Sequence, residues 1–128
     1  MFAKLLLAHL IGDYFVQTDW MAMNKTKNTL DGWSACFFHS ALYSLVIMIA
    51  MTIGAHYSTV TCLEVFGFVF LTHFPIDKFS LAKYLLKLKG NDITRTDALF
   101  WVVYIAVDNG THLILMCLGL TYWFNIKF

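Results

Sequence analysis

Charge is what this sequence has least of. Only 13% of its 128 residues are Asp, Glu, Lys or Arg, against about a quarter in a soluble domain. With 59% of residues hydrophobic and a mean hydropathy of +0.66, too little polar surface exists to cover the chain in water, so lipid has to cover it. A net charge of +1 supplies no basic face for nucleic acid. The three cysteines, Cys36, Cys62 and Cys117, have no C-x-x-C spacing and read as buried thiols rather than a disulfide or finger framework. Internal repeats and low-complexity tracts are missing, which leaves a single domain over 1–128. The N-terminal apolar run is broken by His9 and Asp13 and lacks a small-x-small cleavage pattern, so it does not read as a removable signal.

What remains is an all-α polytopic membrane protein with about four transmembrane helices. A span needs roughly 20 residues to cross about 30 Å of hydrocarbon. The expected spans cover about 2–20, 33–55, 59–74 and 98–123, the first of them marginal in length. Pro75, the only proline, could finish or kink the third. Between spans three and four, 78–89 reads as a cytoplasmic interfacial amphipathic helix, with Leu81, Leu85 and Leu88 on one face and Lys83 and Lys87 on the other. Thr96 or Asp97 suits the N-cap of the last span, and Trp20, Trp33, Trp101 and Trp123 fall near span ends as interface anchors. Lys25, Lys27, Lys78, Lys83, Lys87, Lys89 and Arg95 share one side, which the positive-inside rule makes cytoplasmic. Both termini, with Lys4 and Lys127, then lie outside, as for a bacterial inner-membrane protein. His56 falls in a short external loop and reads as solvated.

Ionisable groups inside a span cost about 2.5–3.5 kcal/mol for Asp and need a partner or a role. His9 and Asp13, His73 and Asp77, and Asp108 and His112 are each four apart, so each pair shares a helical face, and Gln17 extends the first stripe. His39 adds a histidine to span two, near Ser40 and Tyr43. Counted in from the cytoplasmic side at 1.5 Å per residue, Asp13, His39 and His73 lie roughly 5–10 Å deep and Asp108 about 15 Å. Imidazole and carboxylate are ligands for zinc, manganese or iron. The expected metal set is therefore His9, Asp13, His39, His73, Asp77, Asp108 and His112, holding one or two divalent ions, zinc or manganese first. Asp13, Gln17 and His39 are the candidate catalytic groups. Activated water attacking a phosphoester is the matching reaction class. The plainer reading makes the same residues interhelical hydrogen-bonding pairs; for His73 and Asp77, an end to the helix at Pro75 would leave Asp77 as a cap.

The segment LLLAHLIGDYFVQTDWMAMNK resembles a family of small bacterial and phage membrane proteins, domain of unknown function 3307. Its opening pattern, His-x-x-Gly-Asp-Phe-x-x-Gln, is matched by His9, Gly12, Asp13 and Gln17, with Tyr14 standing at the Phe position. His39, THFPIDK and Asp108 with His112 follow in similar order. More distantly, the chain resembles membrane-bound metal-dependent hydrolases of the DNA-damage-inducible type, and its His-x-x-x-Asp element is similar to one in helical zinc-dependent phospholipases. The family resemblance implies no established activity; the ligand set points to a membrane-embedded hydrolase acting on a phosphoester, such as a lipid phosphate, with the bilayer and further copies of the chain as expected partners and no nucleic acid. The competing expectation is a non-enzymatic small membrane protein: a transporter, an ion-conducting element or a phage factor binding a host membrane protein, with the His and Asp residues as structural or proton-path groups.

Overall fold

A computed structural model describes residues 2–54 and 57–126; the readings of His56 and Lys127 lie outside the described residues. The chain is all-helical in the order α1 (Phe2–Leu10), a π-helical turn (Ile11–Phe15), α2 (Asp19–Asn24), α3 (Leu30–Thr52), α4 (Thr59–Lys78), α5 (Leu81–Leu88) and α6 (Ala98–Phe124). Three of these, α3, α4 and α6, are long and apolar enough to cross a membrane. That is one fewer than the four expected. The first segment is not a continuous helix over 2–20: α1 has nine residues, the next turn closes through the Val16 N–H to the Ile11 carbonyl at 3.0 Å, and the chain restarts at α2. An i to i−5 bond takes up one extra residue and re-aims the chain beyond it.

Side-chain caps set the helix starts. Thr29 accepts from the Gly32 N–H, Ser58 from the Thr61 N–H and Asp97 from the Phe100 N–H. α4 runs past Pro75 to Lys78 rather than stopping at 74. Proline's missing N–H costs one bond near a helix end, where carbonyls are already being released, and the Phe79 N–H closes the turn on the Pro75 carbonyl at 3.1 Å. Ser80, at φ 49°, then separates α4 from α5. Lys78 therefore belongs to α4, not to an amphipathic helix over 78–89. In α5 the buried face carries Ala82 and Leu86, while Leu88 is exposed.

The bundle is built inside out. Along α3 the buried row is Ala35, Cys36, His39, Ser40, Tyr43, Ser44, Ile47 and Met51, whereas Phe37, Phe38, Leu42, Leu45 and Ile49 face outward. Small and polar side chains between helices, with bulky apolar ones outside, are the arrangement of helices packed in lipid. α1 lies against α3, antiparallel to it: Lys4 Nζ donates to the Ile53 carbonyl at 3.0 Å. The apolar half of the core, Leu5, Ile47, Met51, Val65, Val69, Met116 and Leu120, fills the end of the bundle near Ile53. The histidines and aspartates fill the middle and the opposite end.

Gly12 marks the tightest approach of the π turn to α3, since a Cβ there would sit 2.6 Å from Tyr43 Cδ2. Gly12→Ala should therefore destabilise the protein by about 1–3 kcal/mol through overpacking. Gly67→Ala, where a Cβ meets nothing within 4 Å, should be neutral or stabilising by up to about 1 kcal/mol. Thermal unfolding of the purified variants in detergent measures both.

Candidate metal centre

Four segments converge on one buried carboxylate. The π turn brings Asp13, α3 brings His39, α4 brings His73 and Asp77 one turn apart, and α6 brings His112. All five are buried. Because α4 continues through Pro75, His73 and Asp77 keep a common face, with His73 Nε2 3.3 Å from Asp77 Oδ2. Asp77 Oδ2 also lies 3.0 Å from His39 Nε2, and Asp77 Oδ1 lies 3.1 Å from His112 Nε2.

Two groups of three could hold a metal ion: Asp13, His39 and His73, and His73, Asp77 and His112. His39 Nε2 and His73 Nε2 lie close to both Asp13 Oδ1 and Asp77 Oδ2, but Asp13 and Asp77 fall in different groups. The separations are 3.0 Å between the imidazoles, 3.0 and 3.3 Å from His39 and His73 to Asp77, and 3.3 and 3.8 Å from them to Asp13. A tetrahedral ion with arms of about 2.0–2.1 Å requires edges of about 3.3–3.4 Å. The Asp13, His39 and His73 triad, with edges of 3.0, 3.3 and 3.8 Å, is close to that size. Two neutral imidazoles facing through Nε2 either share one proton or aim both lone pairs at a common cation, and Asp13 Oδ1, though buried, receives no hydrogen bond. Both features fit a cation among Asp13, His39 and His73.

The other sequence candidates form an outer ring. His9 has both nitrogens engaged, Nδ1 at 2.7 Å from the Tyr43 hydroxyl and Nε2 at 2.8 Å from Asn109 Oδ1, and it approaches Asp13 Oδ2 only at 3.5 Å. Asp108 is half-buried, 4.0 Å from His112 Nε2. It is not the deepest group: His112 is level with Asp77 near the end of α4, and Asp108 lies one turn closer to the start of α6, at the margin. Gln17 touches none of the histidines; its Oε1 accepts from Lys25 Nζ at 2.9 Å.

Lys25, Tyr43 and Asn109 complete the site and were not assigned to it by motif. Lys25 was informative only as a basic residue after the first segment, yet its Nζ donates to Asp77 Oδ2 at 2.6 Å and lies 3.4 Å from His39 Nε2. Burial works against its charge, but the Asp77 and Asp13 carboxylates outweigh burial and hold its pKa above the usual lysine value. The ring of Tyr43 stacks on His73 at 3.7 Å, holding an imidazole whose Nδ1 has no hydrogen-bond partner. Asn109 bridges His9 and the Tyr14 hydroxyl. The available signal was the polar run Asp108-Asn109-Gly110-Thr111-His112 within an otherwise apolar helix.

Asp77 is the hub, so removing its charge leaves Lys25 buried without its counter-ion. With chelator present, Asp77→Asn should cost about 3–5 kcal/mol of stability. Asp108→Asn, at the half-exposed margin, should cost under about 1 kcal/mol. Detergent unfolding curves for the two variants give the contrast directly.

No curated protein and no solved structure matches this chain. A family model described as "Protein of unknown function (DUF3307)" matches residues 1–127, taking in the π-turn aspartate and every histidine and aspartate of the cluster. The chain belongs to the DUF3307 family.

Proposed function

We propose that this protein is a membrane-embedded, metal-dependent hydrolase of phosphoesters, acting on a phosphate-bearing lipid from the lysine-rich, cytoplasmic side of a bacterial inner membrane. The observation that carries the reading is the pair of buried triads, Asp13 with His39 and His73, and Asp77 with His73 and His112, which share His73. Buried imidazole and carboxylate donors at that spacing suit zinc first and manganese second. A divalent ion there supplies Lewis acidity to a phosphoryl oxygen and to the attacking water.

The surrounding residues have defined duties in this reading. His112, 3.1 Å from Asp77 Oδ1, orients that carboxylate from its far side, as partners of metal ligands do. Tyr43 holds the His73 ring by stacking. In this reading Asp108, half-buried and 4.0 Å from His112 Nε2, accepts the proton of the attacking water and returns it to the leaving ester oxygen as the P–O bond breaks. The reaction class rests on this donor chemistry. As for the proton-path alternative, the hydrogen-bonded string through Tyr14, Asn109, His9 and Tyr43 ends with Tyr43 donating to Met116 Sδ at 3.3 Å. A thioether passes no proton onward, and beyond it the described core is apolar, which favours chemistry at one leaflet over conduction across two.

Purified full-length protein should carry one divalent ion per chain and release phosphate from a lipid phosphate in mixed micelles. His112→Ala should weaken metal retention about 10–100-fold, and His39→Ala should abolish it. Elemental analysis combined with a phosphate-release assay decides the matter. No stoichiometric metal, together with chelator-insensitive behaviour, overturns the metal reading; a bound metal without phosphate release overturns the reaction class alone.

A further inference from the structure

Lys25 sits where an ion would need to be. Its ammonium lies 2.6 Å from Asp77 Oδ2 and 3.4 Å from His39 Nε2, one residue from each candidate triad, so it and a divalent ion held by Asp77 compete for the same carboxylate. Like charges held that close in a buried site repel strongly. The charge count points the same way. Asp13 and Asp77 together carry two negative charges, and a divalent ion neutralises both. Lys25 is then a surplus cation.

The loop is built to let the side chain move while its backbone stays. Lys78, buried and with its Nζ 4.3 Å above the Trp33 ring, donates to the Lys27 carbonyl at 2.7 Å and to the Lys25 carbonyl at 3.4 Å. At Gly32 a Cβ would run into the Lys27 carbonyl, so that close approach requires glycine. The Lys25 side chain itself is 17% exposed, rides on four methylenes and has a second partner, Gln17, on its path outward.

Building on the metal reading above, we propose that Lys25 is a tethered cation that a divalent ion displaces from Asp77, and that the freed ammonium binds a phosphate oxygen of the substrate. Metal loading and substrate binding are thus coupled: the ion that neutralises the two carboxylates also releases the group that meets the anion. A phosphate is the matching ligand because it offers several anionic oxygens to a compact point charge.

The test uses full-length protein in lipid nanodiscs, wild type beside Lys25→Met and Lys25→Arg, titrated first with zinc and then, zinc-loaded, with inorganic phosphate. Lys25→Met should bind zinc at least tenfold more tightly than wild type, Lys25→Arg no more tightly than wild type, and zinc-loaded Lys25→Met should bind phosphate at least tenfold more weakly than zinc-loaded wild type. Equal zinc affinity in wild type and Lys25→Met overturns the displacement, and equal phosphate affinity overturns the anion-binding role. Zinc binding in none of the three folded proteins removes the metal reading beneath both. Should Lys25→Met fold only with zinc, the ion has replaced the lysine as partner of Asp77, which supports the proposal. Failure to fold in zinc as well overturns it.

Discussion

A carboxylate buried in an apolar bundle must be surrounded by donors, and the Asp77 carboxylate is the constraint on which the rest of this structure depends. Its partners come from four places in the chain: Lys25 from the loop after α2, His39 from α3, His73 from its own helix and His112 from α6. No two neighbouring elements could satisfy it alone. The polar contacts of one side chain therefore fix the rotation of three long helices about their axes, something apolar packing in lipid does weakly because lipid and leucine are equally good neighbours. Lys78, the next residue, extends the same constraint to the loop by holding the Lys25 and Lys27 carbonyls.

Small residues make that convergence possible. Gly12 brings the π turn against the Tyr43 ring, and Ala35, Ser40 and Ser44 leave room along α3 for partners to approach. Tyr43 is the one bulky polar group at the centre, and it is used on every side: its face covers His73, its hydroxyl meets His9, and its edge lies under the π turn. The two ends of the bundle differ as a result. One is a dry apolar core and the other a polar cluster.

Composition was enough to read a membrane protein, and four-residue spacing was enough to read three shared His and Asp faces, because helical periodicity is a local property. His73, Asp77 and Asp13 were legible in this way, and His39 as a histidine within an otherwise apolar run. Three things were not. The break of the first segment at Ile11–Phe15 is decided by close packing of Gly12 on α3, which no local pattern records. The passage of α4 through Pro75 depends on where the helix ends, since a proline three residues before a terminus forfeits little. Lys25 belongs to the site only because the loop folds back over it, and a lone loop lysine carries no periodicity. Nor could spacing rank the pairs: His9 with Asp13 and Asp108 with His112 look equivalent on a helical wheel, yet His9 has both nitrogens occupied by Tyr43 and Asn109, and Asp108 lies at the margin.

The polarity of the site within the bundle bears on function more than the number of spans does. A path across the membrane requires polar groups, or space for water, at every level. Here the polar groups are concentrated toward the Lys25 end, and from Ile47 to Met51 on α3, Val65 to Val69 on α4 and Met116 to Leu120 on α6 the described interior is packed with apolar side chains. Any ligand must therefore enter and leave by the same end. That end carries Lys25 and Gln17, with Asp108 at its edge, so an approaching anion would meet an ammonium before it met a carboxylate ligand. Among the described residues the polar cluster is therefore bounded on one side by apolar packing, and its accessible groups lie at the Lys25 end.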